Sequence, residues 1–104
     1  MANYLFAYTG GSGMASPEEQ QKAMEAWMNW FGTLGDAVVD AGAPFGPSAV
    51  IGPDGAVTEG APARLSGYSV VSADSLDDAT TKAKGCPLLS NGGSVEIYES
   101  LPMG

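Results

Sequence analysis

GYSVVSADSLDDATTKAKGCPLLSNGGSVEIYE, residues 67–99, reads as one complete strand, helix and strand with every boundary signed. Tyr68, Ser69, Val70 and Val71 form a β-branched and aromatic run after a glycine, as a half-buried strand prefers. Ser75 then caps a helix: its hydroxyl can accept the N–H of Asp78, and Asp77 and Asp78 place negative charge at the positive end of the helix dipole. Leu76, Ala79, Thr80 and Ala83 recur at helical spacing on one face. Lys82 and Lys84 sit near the negative end, and Gly85 followed by Pro87 supplies the stop after about three turns. Beyond the Asn91-Gly92-Gly93 turn, Val95 and Ile97 alternate with Glu96 and Tyr98, the period of a strand with unlike faces.

The first half of the chain repeats this plan. Residues 3–8 alternate Tyr4, Phe6 and Tyr8 with Leu5 and Ala7, so both faces are apolar and the strand is expected to be central in its sheet. A small-residue loop leads to Ser16-Pro17-Glu18-Glu19, where Ser16 is the cap, Pro17 takes the first helical position and Glu19 completes a capping box. Met24, Trp27, Phe31, Leu34 and Val38 follow at steps of three and four, with Met28 and Trp30 at the stripe edges. This spacing predicts a helix of roughly seven turns ending at Gly42. Residues 45–51 and 56–58 flank Pro53-Asp54-Gly55 as a hairpin, with Pro47 pointing to an edge position.

The resulting order is β-α-β, a hairpin region, then β-α-β. Right-handed crossovers turn it into an α+β, ferredoxin-like fold: a four-stranded antiparallel sheet with both helices on one face. At 104 residues the chain is a single domain, residues 1–104, and no linker or residue-level repeat divides it. If Leu5, Ala7, Val95 and Ile97 face the helices, then Tyr4, Phe6, Tyr8, Glu96 and Tyr98 point to the open side, with Tyr68 beside them. A face that aromatic needs cover. Packing two sheets face to face supplies it, so a homodimer paired as an α/β barrel is expected, with a cavity between sheet and helix or at the dimer seam.

Twelve acidic against four basic residues give a net charge of −8 and no basic patch. That balance argues against nucleic acid and anionic membranes as partners. A single cysteine makes no internal disulfide, and no apolar run is long enough for a signal-peptide core or a membrane span, so the expected location is cytoplasmic.

Over nearly its whole length the chain resembles the YCII-related proteins, specifically their DGPF-type branch. The resemblance rests on NYLFAY, SPEEQQKAMEAW, PFGPS, GYSVVSADSLDDATTKAKGCP and GGSVEIYE. These are scaffold motifs, and what they imply is a dimeric α/β barrel in a family largely without assigned biochemistry. The family's Asp-Gly-Pro-Phe segment has only Glu59-Gly60-Ala61-Pro62 as its counterpart here. The His-Asp pair suggested for YCII relatives has none, because the chain contains no histidine.

Candidate chemistry is therefore sought residue by residue. Cys86 follows a helix C-terminus, where the dipole disfavours a thiolate, and it is expected to be inert. The carboxylates fall as helix-start pairs or singly, so no metal site is expected. Gly10-Gly11-Ser12-Gly13 lacks the Lys and Ser/Thr of a phosphate loop and is expected to be a plain loop; no cofactor is expected. Glu96, interleaved with Val95 and Ile97, is the candidate general base, set against a role as an interface residue. Arg64, the only arginine, can hold a ligand carboxylate bidentately or make a surface ion pair. Tyr8, Tyr68 and Tyr98 can bind a ligand carbonyl through their hydroxyls, while Trp27 and Trp30 supply apolar walls, Trp27 more as core and Trp30 as either.

The expected function is a homodimeric small-molecule binding module for an apolar or aromatic ligand. A cofactor-independent isomerase, dehydratase or oxygenase, using Glu96 or a tyrosine, is the alternative from fold analogy. A protein-interaction module using the open face or the acidic surface is the third.

Overall fold

A computed structural model describes residues 1–10 and 16–102. The elements run β1 (Ala2–Thr9), α1 (Pro17–Leu34), a short 3-10 turn (Gly35–Ala37), β2 (Val38–Pro44), β3 (Ala49–Ile51), β4 (Val57–Glu59), β5 (Leu65–Ala73), α2 (Leu76–Ala83), a 3-10 turn (Pro87–Asn91) and β6 (Ser94–Ser100). β2, β5, β1 and β6 form one antiparallel sheet in that order, and β3 and β4 form a separate two-stranded hairpin. This is the ferredoxin-like α+β architecture expected from the sequence. β1 is central, as its two apolar faces require.

Both helix starts form as their sequences dictate. Ser16 Oγ accepts the Glu19 N–H at 3.3 Å and Ser75 Oγ accepts the Asp78 N–H at 3.0 Å. Asp78 also accepts the Asp74 N–H at 3.0 Å and pairs with Lys82 one turn on at 2.8 Å, so its carboxyl is held below the usual range, chiefly by the Lys82 hydrogen bond.

The end of α1 is a correction. The helix stops at Leu34 rather than running to Gly42, because Gly35 adopts φ 57° and its N–H bonds back to the Phe31 carbonyl. Val38, which continues the heptad-like spacing, instead opens β2, the strand the sequence pattern missed. The strand expected over residues 45–51 shrinks to Ala49–Ile51 beyond Pro47.

The buried stripe of α1 is also rotated from expectation. Trp30 is the buried residue of that helix, at 5% exposure, while Met24 and Met28 are 65% and 68% exposed. Ala23, Ala26, Trp27, Phe31 and Leu34 are half-buried around it. On α2, Ala79 and Ala83 are buried and Leu76 and Thr80 are exposed, a narrower contact than the four-residue face predicted.

β1 presents the opposite face to the helices from the one expected, whereas β6 keeps its expected faces, Val95 and Ile97 inward and Glu96 and Tyr98 outward. Tyr4, Phe6 and Tyr8 are buried in one core with Trp30, Val71, Ala73, Ala79, Ala83, Cys86 and Leu88. Val95 and Ile97 pack on the same core, being paired with Tyr8 and Phe6. Alternation then puts Leu5, Ala7, Tyr68, Val70, Glu96 and Tyr98 on the open face. Aromatic rings win the helix-facing side because α1 offers Trp27, Trp30 and Phe31 as partners. Phe6 stacks near Trp30 with centroids 6.2 Å apart, and Tyr8 meets Trp27 edge-on at 5.1 Å. The open face is thus aliphatic with two tyrosines rather than an aromatic wall.

Candidate functional site

A cleft of about 370 Å³ lies where α1 crosses the β2–β5 edge of the sheet. Trp27 and Phe31 from α1, Leu88 from the 3-10 turn after α2, and Ala43 and Pro44 from β2 supply its apolar walls. Tyr8, Ser66 and Ser69 supply its hydroxyls.

An irregular strand builds the polar wall. The β2–β5 register slips twice, so residues 41 and 42 fall between ladder partners Asp40 and Ala43. Gly42 takes φ 80° there and approaches so closely that a Cβ would lie 1.7 Å from the Tyr68 carbonyl oxygen, a bulge that only glycine fits. Asp40 stabilises the bulge with both carboxylate oxygens. Its Oδ1 accepts the Gly42 N–H at 2.8 Å and its Oδ2 accepts the Tyr68 hydroxyl at 3.2 Å. Ser69, fully buried, donates to the Ala41 carbonyl across 2.7 Å. Tyr8 in turn donates to Ser69 Oγ, also at 2.7 Å, and its backbone carbonyl accepts from Ser66 at 3.1 Å. Burial pushes the Tyr8 phenol far above its ordinary value, only partly offset by the Ser69 hydrogen bond.

The residues singled out from sequence separate into two groups. Tyr8 and Tyr68 both line the cleft. Tyr68 belongs by alternation to the open-face side chains, where Phe45 stacks on its ring at 5.6 Å. Trp30 lies outside the lining, in the core, donating its indole N–H to the Lys82 carbonyl at 3.1 Å; Trp27 takes the wall position instead. Arg64 is exposed in the turn before β5, with φ 51°, and is not part of the lining. Its N–H closes that turn onto the Ala61 carbonyl at 3.0 Å.

Glu96 is exposed on the open face and accepts the Tyr98 hydroxyl at 2.9 Å. It does not reach the cleft, because the strand period that placed it opposite Val95 and Ile97 sends it away from the helices. Tyr98 is 52% exposed beside it, its phenol raised chiefly by the hydrogen bond to Glu96. Cys86 is buried in the core, and burial pushes its thiol up. Among the described residues no three His, Cys, Asp or Glu side chains converge. Residues 11–13 of the glycine loop lie outside the described residues.

Ser69, Phe31, Leu88 and the 41–44 bulge were not foreseen as cleft residues. Only the Ala41-Gly42-Ala43-Pro44 run carried a signal, since small residues before a proline permit a bulge at a sheet edge.

Among known proteins, no family model matches the chain and no curated sequence does. Among the described residues no helix is long and apolar enough to cross a membrane.

Proposed function

We propose that this protein is a small-molecule binding module that holds an apolar or aromatic ligand in the cleft between α1 and the β2–β5 edge. The carrying observation is the cleft itself: about 370 Å³, walled by Trp27, Phe31, Leu88 and Pro44, with the hydroxyls of Tyr8, Ser66 and Ser69 at one side. That volume is roughly a dozen water molecules at about 30 Å³ each, enough for a one- or two-ring compound. Acid–base catalysis in the cleft is less well supported, because Glu96 stands outside it and the Tyr8 phenol is held protonated by burial.

The test is a titration of the protein with one- and two-ring aromatic compounds, read by the indole N–H resonance of Trp27. Saturable shifts at Trp27, with Trp27→Leu weakening affinity several-fold, are the expected result. Shifts confined to the open sheet face would overturn the assignment.

A second copy of the chain is proposed as cover for the open face. The molecule is a slab of 44 × 44 × 18 Å, two layers thick, and Leu5, Val70 and Tyr98 lie on the uncovered side. This pairing, and membership of the YCII-related DGPF-type family with its dimeric barrel, draw support from the strand order and the motif resemblance. Sedimentation should give a dimer that Leu5→Arg converts to monomer; a monomeric wild-type protein would sink the pairing. A cytoplasmic setting goes with this proposal, supported by the unpaired thiol of Cys86.

A further inference from the structure

The hydrogen bonds behind the cleft have a fixed direction. A carbonyl oxygen carries no hydrogen, so the 2.7 Å contact between Ser69 Oγ and the Ala41 carbonyl commits the serine proton to Ala41. Ser69 Oγ is then left to accept, and the 2.7 Å contact with Tyr8 commits the phenol proton to Ser69. The reverse orientation would set two lone-pair oxygens 2.7 Å apart and leave the Ala41 carbonyl facing no donor from Ser69. Tyr8, 6% exposed, therefore meets the cleft with acceptor capacity only. No cationic side chain lines the cleft, and the chain carries a net charge of −8.

We propose that the cleft selects a neutral ligand carrying a hydrogen-bond donor, an aromatic alcohol or N–H heteroaromatic, whose O–H or N–H is received by Tyr8 Oη, and discriminates against ethers and carboxylates of the same shape. This inference rests on the cleft being the binding site. The selectivity arises from the β2 bulge, which presents the Ala41 carbonyl to Ser69 and so orders the two hydroxyls in series. The raised phenol pKa acts in the same direction, since Tyr8 stays neutral and keeps its proton directed at Ser69 Oγ through the physiological range.

The test compares 2-naphthol, 2-methoxynaphthalene and 2-naphthoate by calorimetry, with the Trp27 indole N–H resonance reporting location. The naphthol is expected to bind more tightly than its methyl ether by roughly 2- to 12-fold, the ratio one net hydrogen bond gives, and the naphthoate more weakly than either. Tyr8→Phe should abolish the preference for the alcohol. Ser69→Ala, which keeps the Tyr8 ring and frees its proton to donate, should bring the affinity of the ether close to that of the alcohol. Equal or tighter binding of the ether to the wild-type protein, at Trp27, overturns the donor selection and leaves the cleft as a ligand site. Absence of any response at Trp27 to all three compounds overturns both.

Discussion

The indole N–H of Trp30 donates to the backbone carbonyl of Lys82 across 3.1 Å, joining the C-terminal part of α1 to the last turn of α2. Gly85 closes the same joint, since a Cβ there would stand 3.0 Å from Trp30 Cδ1. Two helices that share no sequence neighbourhood are thereby locked over Phe6, whose ring lies 6.2 Å from that of Trp30.

Trp30→Ala is expected to cost about 3–5 kcal/mol, the usual range for emptying a buried tryptophan site. Trp30→Phe should cost less, about 1–3 kcal/mol, from lost volume and the lost Lys82 hydrogen bond. Met24→Gln and Met28→Gln should stay within about 0.5 kcal/mol, because both side chains are exposed. Urea denaturation of the four variants checks the order; a methionine variant as damaging as Trp30→Phe would contradict the observed orientation of α1.

Two glycines with positive φ should respond unequally to alanine. At Gly35 nothing lies within 4 Å of the added Cβ, so only backbone strain of about 1–2 kcal/mol is incurred. At Gly42 the same strain is joined by a backbone oxygen 1.7 Å from the Cβ, and the bulge must move or open. Gly42→Ala is expected to lose more than about 3 kcal/mol and to disturb the cleft, which thermal unfolding of the pair will show.

Alkaline pH should weaken the fold through Tyr8. Its phenol is raised by burial in the folded state and titrates near 10 when unfolded, so its stabilising contribution is complete below about pH 10. Above that pH the unfolded chain releases a proton that the folded chain retains, and stability falls by up to about 1.4 kcal/mol per pH unit for this one group. Denaturation midpoints between pH 8 and 11.5 should decline less steeply in Tyr8→Phe than in the wild type; identical slopes would refute the burial of a neutral phenol.

Asp40 should set the ionisation of Tyr68. The Tyr68 phenol is raised chiefly by its hydrogen bond to Asp40, with the negative charge of that carboxylate adding to it. Asp40→Ala is expected to bring the Tyr68 pKa down towards the ordinary value, visible as an earlier tyrosinate step in ultraviolet titration. The Gly42 N–H loses its Oδ1 acceptor in the same variant, which should loosen the bulge.

The legible parts of the fold were those specified by local chemistry. Ser16-Pro17-Glu18-Glu19 and Ser75 fix helix starts within one turn, and Pro53-Asp54-Gly55 reverses the chain over a few residues. The end of α1 was misread because Val38 lies four residues after Leu34 and continues the apolar spacing past Gly35, the residue that stops the helix. Within the cleft, Tyr8 was legible as a hydroxyl-bearing aromatic beside an apolar space, while Tyr68 lines it with its ring turned to the open face. Ser69 was not, since a serine in a strand looks solvent-facing until a bulge on the neighbouring strand offers it a carbonyl.

From the sequence alone follow the capped helix starts, the central apolar β1, the hairpin turn and the closing β-α-β unit, because caps, turns and strand alternation are determined by neighbours a few residues apart. Alternation states which side chains share a face, but not which face the helices cover. That choice depended on Trp30 and Trp27 of α1 meeting Phe6 and Tyr8 as a better-packed aromatic layer than Leu5 and Ala7 would have given. Tertiary structure therefore decided that Tyr4, Phe6 and Tyr8 look inward, that Trp30 is core, and that the cleft lies beside the β2 bulge, where strands distant in sequence bring Tyr8, Ser69 and Ala41 within two hydrogen bonds of one another.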